Sequence, residues 1–492
     1  MSFMEPTIAG IIGLPPRIAL LGTIIFVSFL FLRDIRQKPN VTGALWLPVV
    51  WVLLMGSRSV VQWLYVLHVP IALGSVEEGN PLDAFVYLAL IVAGLYVLNK
   101  RQVSLSEVFR KNTWVMAFLL YCFIAILWSD FPFVAFKRWI KVLGHPVMAL
   151  ILLTEPDPGK AVATLMKRSA YVLFPFSILA LKYYPDIGRR FDEWTGLAVN
   201  CGIAQSKNGL GGVCMVLGFF FVWYFVKTWG AEKSKARRDE LRLVGVLLVM
   251  IAWLLRKSHA ATATICLLIA IAVIFVTGRP WVNKKLIGTY VLVALAGLGV
   301  AELAFGTFER VGELTGHEST LMGRMELWRQ CLAVDTNPIF GVGFETFWLG
   351  DRLHLLHEGR PWQPNEAHNG YLETYLNLGL MGLFMLLGLI VTTFRKIRVE
   401  LFRNPDWGRF RLGFLAAIVF LNLTEATFKG LSLSWFVFFI IAMEYPIAEY
   451  EPVLQSSERD ELEETGLSPG MRPRAEVHSP RNFSSRTTLA VC

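Results

Sequence analysis

The sequence predicts an all-α, polytopic integral membrane protein with about 12–13 transmembrane helices and one large loop outside the bilayer. Two observations carry that reading. Of the 492 residues, 54% are hydrophobic and only 17% charged, with a mean hydropathy of +0.51. That is more apolar surface than a soluble domain of this size can bury. Apolar runs also recur along most of the chain, many of them close to the roughly 20 residues that cross a bilayer as a helix.

In order, the predicted spans are Ile18–Leu32, Ala44–Met55, Leu82–Leu98, Trp114–Trp128, Trp139–Leu153, Ala170–Tyr184, Gly209–Val226, Leu241–Leu255, Ala260–Val276, Leu286–Leu303, Tyr371–Thr393, Leu412–Leu423 and Ser432–Tyr445. Pro15 and Pro16 are expected to break or cap a helix at the outer edge of the first. The amino terminus has no basic region leading to a small-residue cleavage site, so the first span is expected to act as a signal anchor. Basic turns follow alternate spans, at Arg33–Lys38, Lys100–Lys111, Lys227–Arg242, Arg279–Lys285 and Arg395–Arg411. Placing them in the cytoplasm puts the amino terminus and the long segment Phe305–Gly370 outside. The predicted organisation is a membrane domain over residues 1–450, with its large loop at about 305–370, followed by a polar, Ser/Pro-rich cytoplasmic tail at 451–492 that has too little apolar surface to fold.

The net charge of +9 is then mostly topogenic. Its cations sit in turns flanking the membrane rather than on one face with interleaved aromatics, which argues against a nucleic-acid partner. The six cysteines show no metal-ligand or C-x-x-C spacing, and the chain contains no D-x-D. Glu77–Glu78 is the adjacent acidic pair in the second outer segment, and no metal role is expected for it.

More informative are cations that oppose the positive-inside trend. Lys137, Arg138, Lys141 and His145 lie at the outer end of one span. Lys207 lies in QSKNGLGG beside Asn208, Arg256 and Lys257 in a tight turn, and Arg324 and Arg329 in the large loop. A lone lysine or arginine at a span end usually snorkels to the headgroups. Several from separate segments suit a bound anion, such as a pyrophosphate at the membrane surface. In the large loop, Leu321, Met325 and Leu327–Trp328 are spaced for an amphipathic helix lying on the membrane. Gly341–Val342–Gly343 reads as a flexible turn before Phe344, Phe347 and Trp348, aromatics suited to sugar stacking or interfacial anchoring.

The segment HNGYLETYLNLGLMG, His368 to Gly382, carries the chemistry. A histidine and an asparagine stand at the mouth of an apolar helix, and Asn369, Glu373 and Asn377 form a polar stripe at i, i+4, i+8. Such groups must face protein or a wet cavity. Glu366 could orient the His368 ring, or be a solvated loop acid. Gly379 and Gly382 are expected to let a neighbouring helix approach closely.

GRMELW, NPIFGVGF and AHNGYLETYLNLGLMGL resemble the O-antigen ligase and Wzy-type polysaccharide polymerase superfamily. His368–Asn369, nine residues, then Gly379-x-x-Gly382 fits its H-[NSQ]-x9-G-x-x-G pattern at every position. LWSDFPFVAFKRWIK, GIAQSKNGLGG and EEGNPLDAFVYL look most like its exopolysaccharide-polymerase (ExoQ-like) branch. The resemblance runs from about Arg58 to Trp435. It implies a glycosyltransferase acting on undecaprenyl-diphosphate-linked oligosaccharide at the periplasmic face of the bacterial inner membrane, without a nucleotide sugar, cofactor or metal. Chain-length regulators and export proteins are the implied partners. By motif match His368 would assist the acceptor hydroxyl, and Arg324 is the arginine of the family's G-R-x-x-x-W. Arg138 and Lys207 match basic positions of the ExoQ-like branch. Lys141, Asn208, Glu366, Asn369 and Glu373 complete the expected substrate-binding set. Arg256 joins it with a departure, since the family's Ser-Arg order is here Arg256-Lys257-Ser258. The alternatives are a ligase moving finished glycan to lipid A core or protein, and, in a different class, a flippase of the same lipid-linked glycan. A transporter would show repeated halves and helices broken at the midplane, neither of which is evident here.

Overall fold

The computed structural model describes residues 14–72, 74, 79–191, 196–290, 318–358 and 363–446. They form a helical bundle with one small hairpin, Arg189–Phe191 against Ala198–Asn200, antiparallel with Arg189 opposite Asn200. The helices of the first half are α1 (Pro16–Arg36), α2 (Trp46–Gly56), α3 (Val60–Val66), α4 (Pro81–Lys100), α5 (Leu105–Lys111), α6 (Thr113–Ile124), α7 (Pro132–Leu153), α8 (Pro158–Tyr183) and α9 (Pro185–Gly188). Then come α10 (Lys207–Trp229), α11 (Lys235–Ser258), α12 (Ala261–Thr277), α13 (Glu318–Ala333), α14 (Gly350–His357), α15 (Gly370–Arg403), α16 (Pro405–Leu421) and α17 (Leu433–Ala442).

A helix lies on every predicted span except Leu286–Leu303, most of which falls outside the described residues, as do Glu77–Glu78 and the tail. Among the described residues five helices are long and apolar enough to cross a membrane alone: α1, α4, α8, α10 and α15. Two bent pairs raise that to seven, with bends of 58° between α2 and α3 and 98° between α5 and α6. The other predicted spans are short, as in α12, α16 and α17, or begin with charged turns, as in α7 and α11. The bundle is a multi-pass membrane protein whose interior is built by α8 and α10, while α1 and α4 expose most of their apolar faces. Helix starts follow the local rules for terminal amides: proline opens α1, α4, α7, α8 and α16, and the Ser59, Ser104, Ser206, Ser234 and Ser432 side chains cap α3, α5, α10, α11 and α17.

The structure corrects four expectations in and around the large loop. Gly379 does admit a close neighbour, but the neighbour is the loop and not a helix. At φ +65 and ψ −167 it breaks α15, a conformation open essentially only to glycine, and an added Cβ would sit 2.2 Å from the Ile339 carbonyl. The break frees backbone groups that a bilayer could not hydrate, and the NPIFGVGF segment takes them up. Leu380 and Met381 donate to the Pro338 and Ile339 carbonyls, while Leu376 and Asn377 accept from Val342 and Gly343. The Tyr121 hydroxyl donates to the remaining Leu378 carbonyl at 2.8 Å. Gly341–Val342–Gly343 is thus a docked strap rather than a flexible turn. Nor does α13 lie on the membrane by a Leu327 face: Leu327 and Cys331 pack with Val342, Phe347, Trp348 and Leu376 in a second hydrophobic cluster. Phe344, Phe347 and Trp348 are buried: Phe347 and Trp348 build that small core and Phe344 packs in the main one, instead of meeting sugar or lipid.

Candidate active site

His368 occupies the turn before α15 at φ +49, a left-handed conformation uncommon outside glycine. Several contacts hold the turn there. The Asn369 side chain caps α15 by accepting from the Tyr371 and Leu372 amides, both at 3.0 Å. The Trp328 indole donates to the Ala367 carbonyl at 2.7 Å, and the Ala367 amide donates to Glu373 at 2.9 Å. Gly370 donates to the Asn422 carbonyl at 2.8 Å, so tightly that a Cβ there would lie 2.0 Å from Asn422 Oδ1. Asn422 in turn folds the connection between α16 and α17, its Oδ1 accepting from Thr427 and Phe428. That connection carries Glu425 and Lys429 onto the His368 turn.

The result is a chain of charges. His368 Nδ1 lies 3.0 Å from Glu366 Oε1 and 3.9 Å from Glu425 Oε2. Arg324 reaches Glu425 Oε1 at 3.3 Å, and Asn208 donates to the same oxygen at 3.0 Å. Lys429 bridges Glu366 at 3.4 Å and Glu373 at 3.1 Å. Burial disfavours the charged imidazole, but the two carboxylates outweigh it and hold His368 up at about 9. Burial alone would raise Glu366; Lys429 and His368 overcome that and bring it down to about 2. Lys429 is likewise held above the ordinary ammonium range, burial being outweighed by Glu373, Glu366 and Glu345. The unperturbed imidazole that suits a neutral site is therefore not what the fold provides.

Of the expected site residues, His368, Glu366, Arg324 and Asn208 meet within this chain of contacts. Glu373 is buried and braces it, accepting also from the Trp348 indole at 3.0 Å. Asn369 is a cap, its side-chain oxygen engaged by α15. Lys207 adjoins Asn208 at the first turn of α10. Arg138 donates to the Glu345 carbonyl, and the Glu345 carboxylate accepts from the Gly430 amide, so Arg138 supports the Lys429 loop from behind. Its helical neighbours go elsewhere: Lys141 lines a separate cavity, and His145 is fully buried, accepting from the Trp51 indole at 3.3 Å and meeting the Gly430 carbonyl at 2.9 Å. Arg256 is exposed in the last turn of α11, and no ion pair among the described residues joins it to the others. Sequence reasoning missed Glu425, Lys429 and Glu345. The available signal was a pair of charges in NLTEATFKG, within an otherwise apolar stretch, at the same end of the bundle as His368.

Glu366, His368 and Glu425 each offer a ligand atom within 4.8 Å of one another, a set that could hold a divalent cation. Arg324, Asn208 and Lys429 already compensate both carboxylates, so such an ion would have to displace them.

The described residues thus form a multi-pass helical membrane bundle with a cluster of histidine, carboxylates and cations at one end. The family model described as O-Antigen ligase matches residues 243–387, which include Arg324, His368 and the Gly379 break. The chain is also 27% identical over 301 residues to the exopolysaccharide production protein ExoQ of Rhizobium meliloti (strain 1021), a match covering 57% of this chain and 64%, less than two thirds, of that protein. These matches bear out the likeness to the O-antigen ligase and Wzy-type superfamily on its ExoQ-like side.

Proposed function

We propose that the chain is a glycosyltransferase that joins undecaprenyl-diphosphate-linked oligosaccharide repeats into polysaccharide at the outer face of the bacterial inner membrane. The observation that carries this reading is the placement of His368 Nδ1 against Glu366 and Glu425, with Arg324 on the far side of Glu425. Two carboxylates on the Nδ1 side keep a proton there, so whenever the ring is neutral it presents Nε2 for chemistry, the logic by which a buried carboxylate orients a catalytic histidine. A sugar hydroxyl is too weak an acid to ionise near neutral pH, so Nε2 takes its proton as the new bond forms. That hydroxyl attacks the anomeric carbon of the donor with inversion, the bond to the lipid diphosphate breaks, and the charge gathering on the diphosphate is met by fixed cations, Arg324 and Lys207 foremost. No metal enters this scheme, so chelators should leave the rate unchanged.

The test is polymer length in a deletion strain complemented with variants. His368→Ala should lower chain extension by roughly 10²–10⁴-fold, the usual worth of a positioned base, with normal membrane insertion. Near-normal high-molecular-weight polymer would remove His368 from the mechanism. Arg324→Ala should likewise abolish extension and preserve insertion. The family description favours a second reading, a ligase that moves finished glycan to another acceptor. Purified protein given lipid-linked repeats alone decides: a polymerase builds a ladder and a ligase does not.

A further inference from the structure

The outward cations separate into two places. Arg324 and Asn208 meet His368, whereas Lys141 lines a cavity of about 890 Å³ together with Arg58, Arg190, Ser206 and Gly209. Arg58 sits at the 58° bend between α2 and α3 and is only 1% exposed. Its Nη2 donates to the Ile187 carbonyl at 2.6 Å and its guanidinium lies 5.6 Å from the centre of the Trp63 ring. Its Nε is buried with no hydrogen-bond partner among the described residues. Arg58, Lys141 and Arg190 form no ion pair there either, although Arg190 is near enough to act on Arg58 electrostatically. Two carboxylates share the lining, and Asp83 is already engaged by the Val61 amide at 3.1 Å; the other is Asp186. A buried guanidinium with an idle donor is costly unless something accepts from it. Three cations converging on a cavity of mixed polar and apolar lining define what that something carries: phosphoryl oxygens.

We propose that this cavity is a second anion site, taking the phosphoryl groups of a lipid-linked sugar while Arg324 serves those of the other. The proposal rests on the polymerase reading for its purpose. Polymerisation brings together two lipid diphosphates, one cleaved beside His368 and one retained by the acceptor. Both places flank the first turn of α10: Asn208 reaches Glu425, while Ser206 and Gly209 line the cavity. One helix start can therefore position both substrates.

The experiment titrates inorganic pyrophosphate into full-length protein in nanodiscs by calorimetry, in an Arg324→Gln background that silences the first place. We expect saturable binding to persist and to weaken about tenfold or more on adding Arg190→Gln, the loss expected for one charge-assisted contact. Arg58→Gln should do the same, and because Arg190 is exposed its variant keeps the test valid if Arg58→Gln does not fold. Absence of saturable binding, or binding indifferent to Arg190 and Arg58, overturns the site. Undecaprenyl diphosphate incorporated in the nanodiscs should compete with pyrophosphate; no competition would assign the site to free phosphates and overturn the acceptor role. Polymer synthesis is not measured, so failure of the polymerase reading would leave this result standing or falling by itself.

Discussion

The bundle buries charge at both ends, and the two ends use it differently. At one end Glu240 of α11 takes Arg33 of α1 at 2.9 Å and Lys167 of α8 at 3.1 Å, and Asp34 takes Arg168 at 2.8 Å. Every partner there is on a helix body, and the pairs staple α1, α8 and α11 together. At the other end Glu366, His368, Glu425 and Lys429 all stand on turns between helices, and each carboxylate is shared among groups of different kinds. Charges locked between helix flanks can do little but hold the flanks. Charges on turns, braced from behind by Glu373, Asn422 and Arg138, keep one side partly exposed, which is where the proposed reaction needs them.

The contrast can be broken by exchanging the expected outcomes. Glu240→Ala strands Lys167 and Arg33 and should cost about 3–5 kcal/mol, read as a lowered melting temperature in detergent, with the rate per folded molecule unchanged. A loss of rate at unchanged stability would erase the distinction between the two ends. Gly379→Ala should cost about 2–4 kcal/mol through its left-handed backbone and the displaced Ile339 carbonyl. Because the displaced strap leads directly to Glu345, polymer synthesis should fall with it, and a wild-type melting temperature would refute the strap. The smallest effect is in pH dependence. With His368 held at about 9, kcat/KM should climb as pH rises toward and through that value, since only the neutral ring can accept a proton. Glu366→Gln removes the strongest upward influence and should move this limb to lower pH. An unmoved limb would mean that another group titrates. The sign for stability is opposite: the folded value is raised, so the ion pairs of His368 stabilise fully below about pH 6.5 and that contribution is lost as pH climbs through 9.

Much of the bundle was legible because a bilayer punishes unsatisfied backbone and charge so heavily that apolar runs and basic turns read directly. The same rule explains what was not. The Gly-x-x-Gly of α15 looked like a helix contact because small residues usually serve that end in membranes. Only the tertiary structure shows that chain well upstream returns to fill the break, as Leu380 bonding to Pro338, 42 residues earlier, illustrates. Glu425 and Lys429 are not legible in the sequence because their partners lie between 56 and 217 residues away, and no periodicity encodes contacts between turns.

By itself the sequence determined the class of molecule, the positions of its long apolar helices and the His368 motif, since hydropathy, capping and motif spacing are local properties. Tertiary structure alone decided which cations gather at the histidine and which at the Arg58 cavity, and that the imidazole is held protonated near neutral pH. Those outcomes depend on distances of a few ångströms between separate segments, and electrostatic energies in a partly dry site change steeply over such distances.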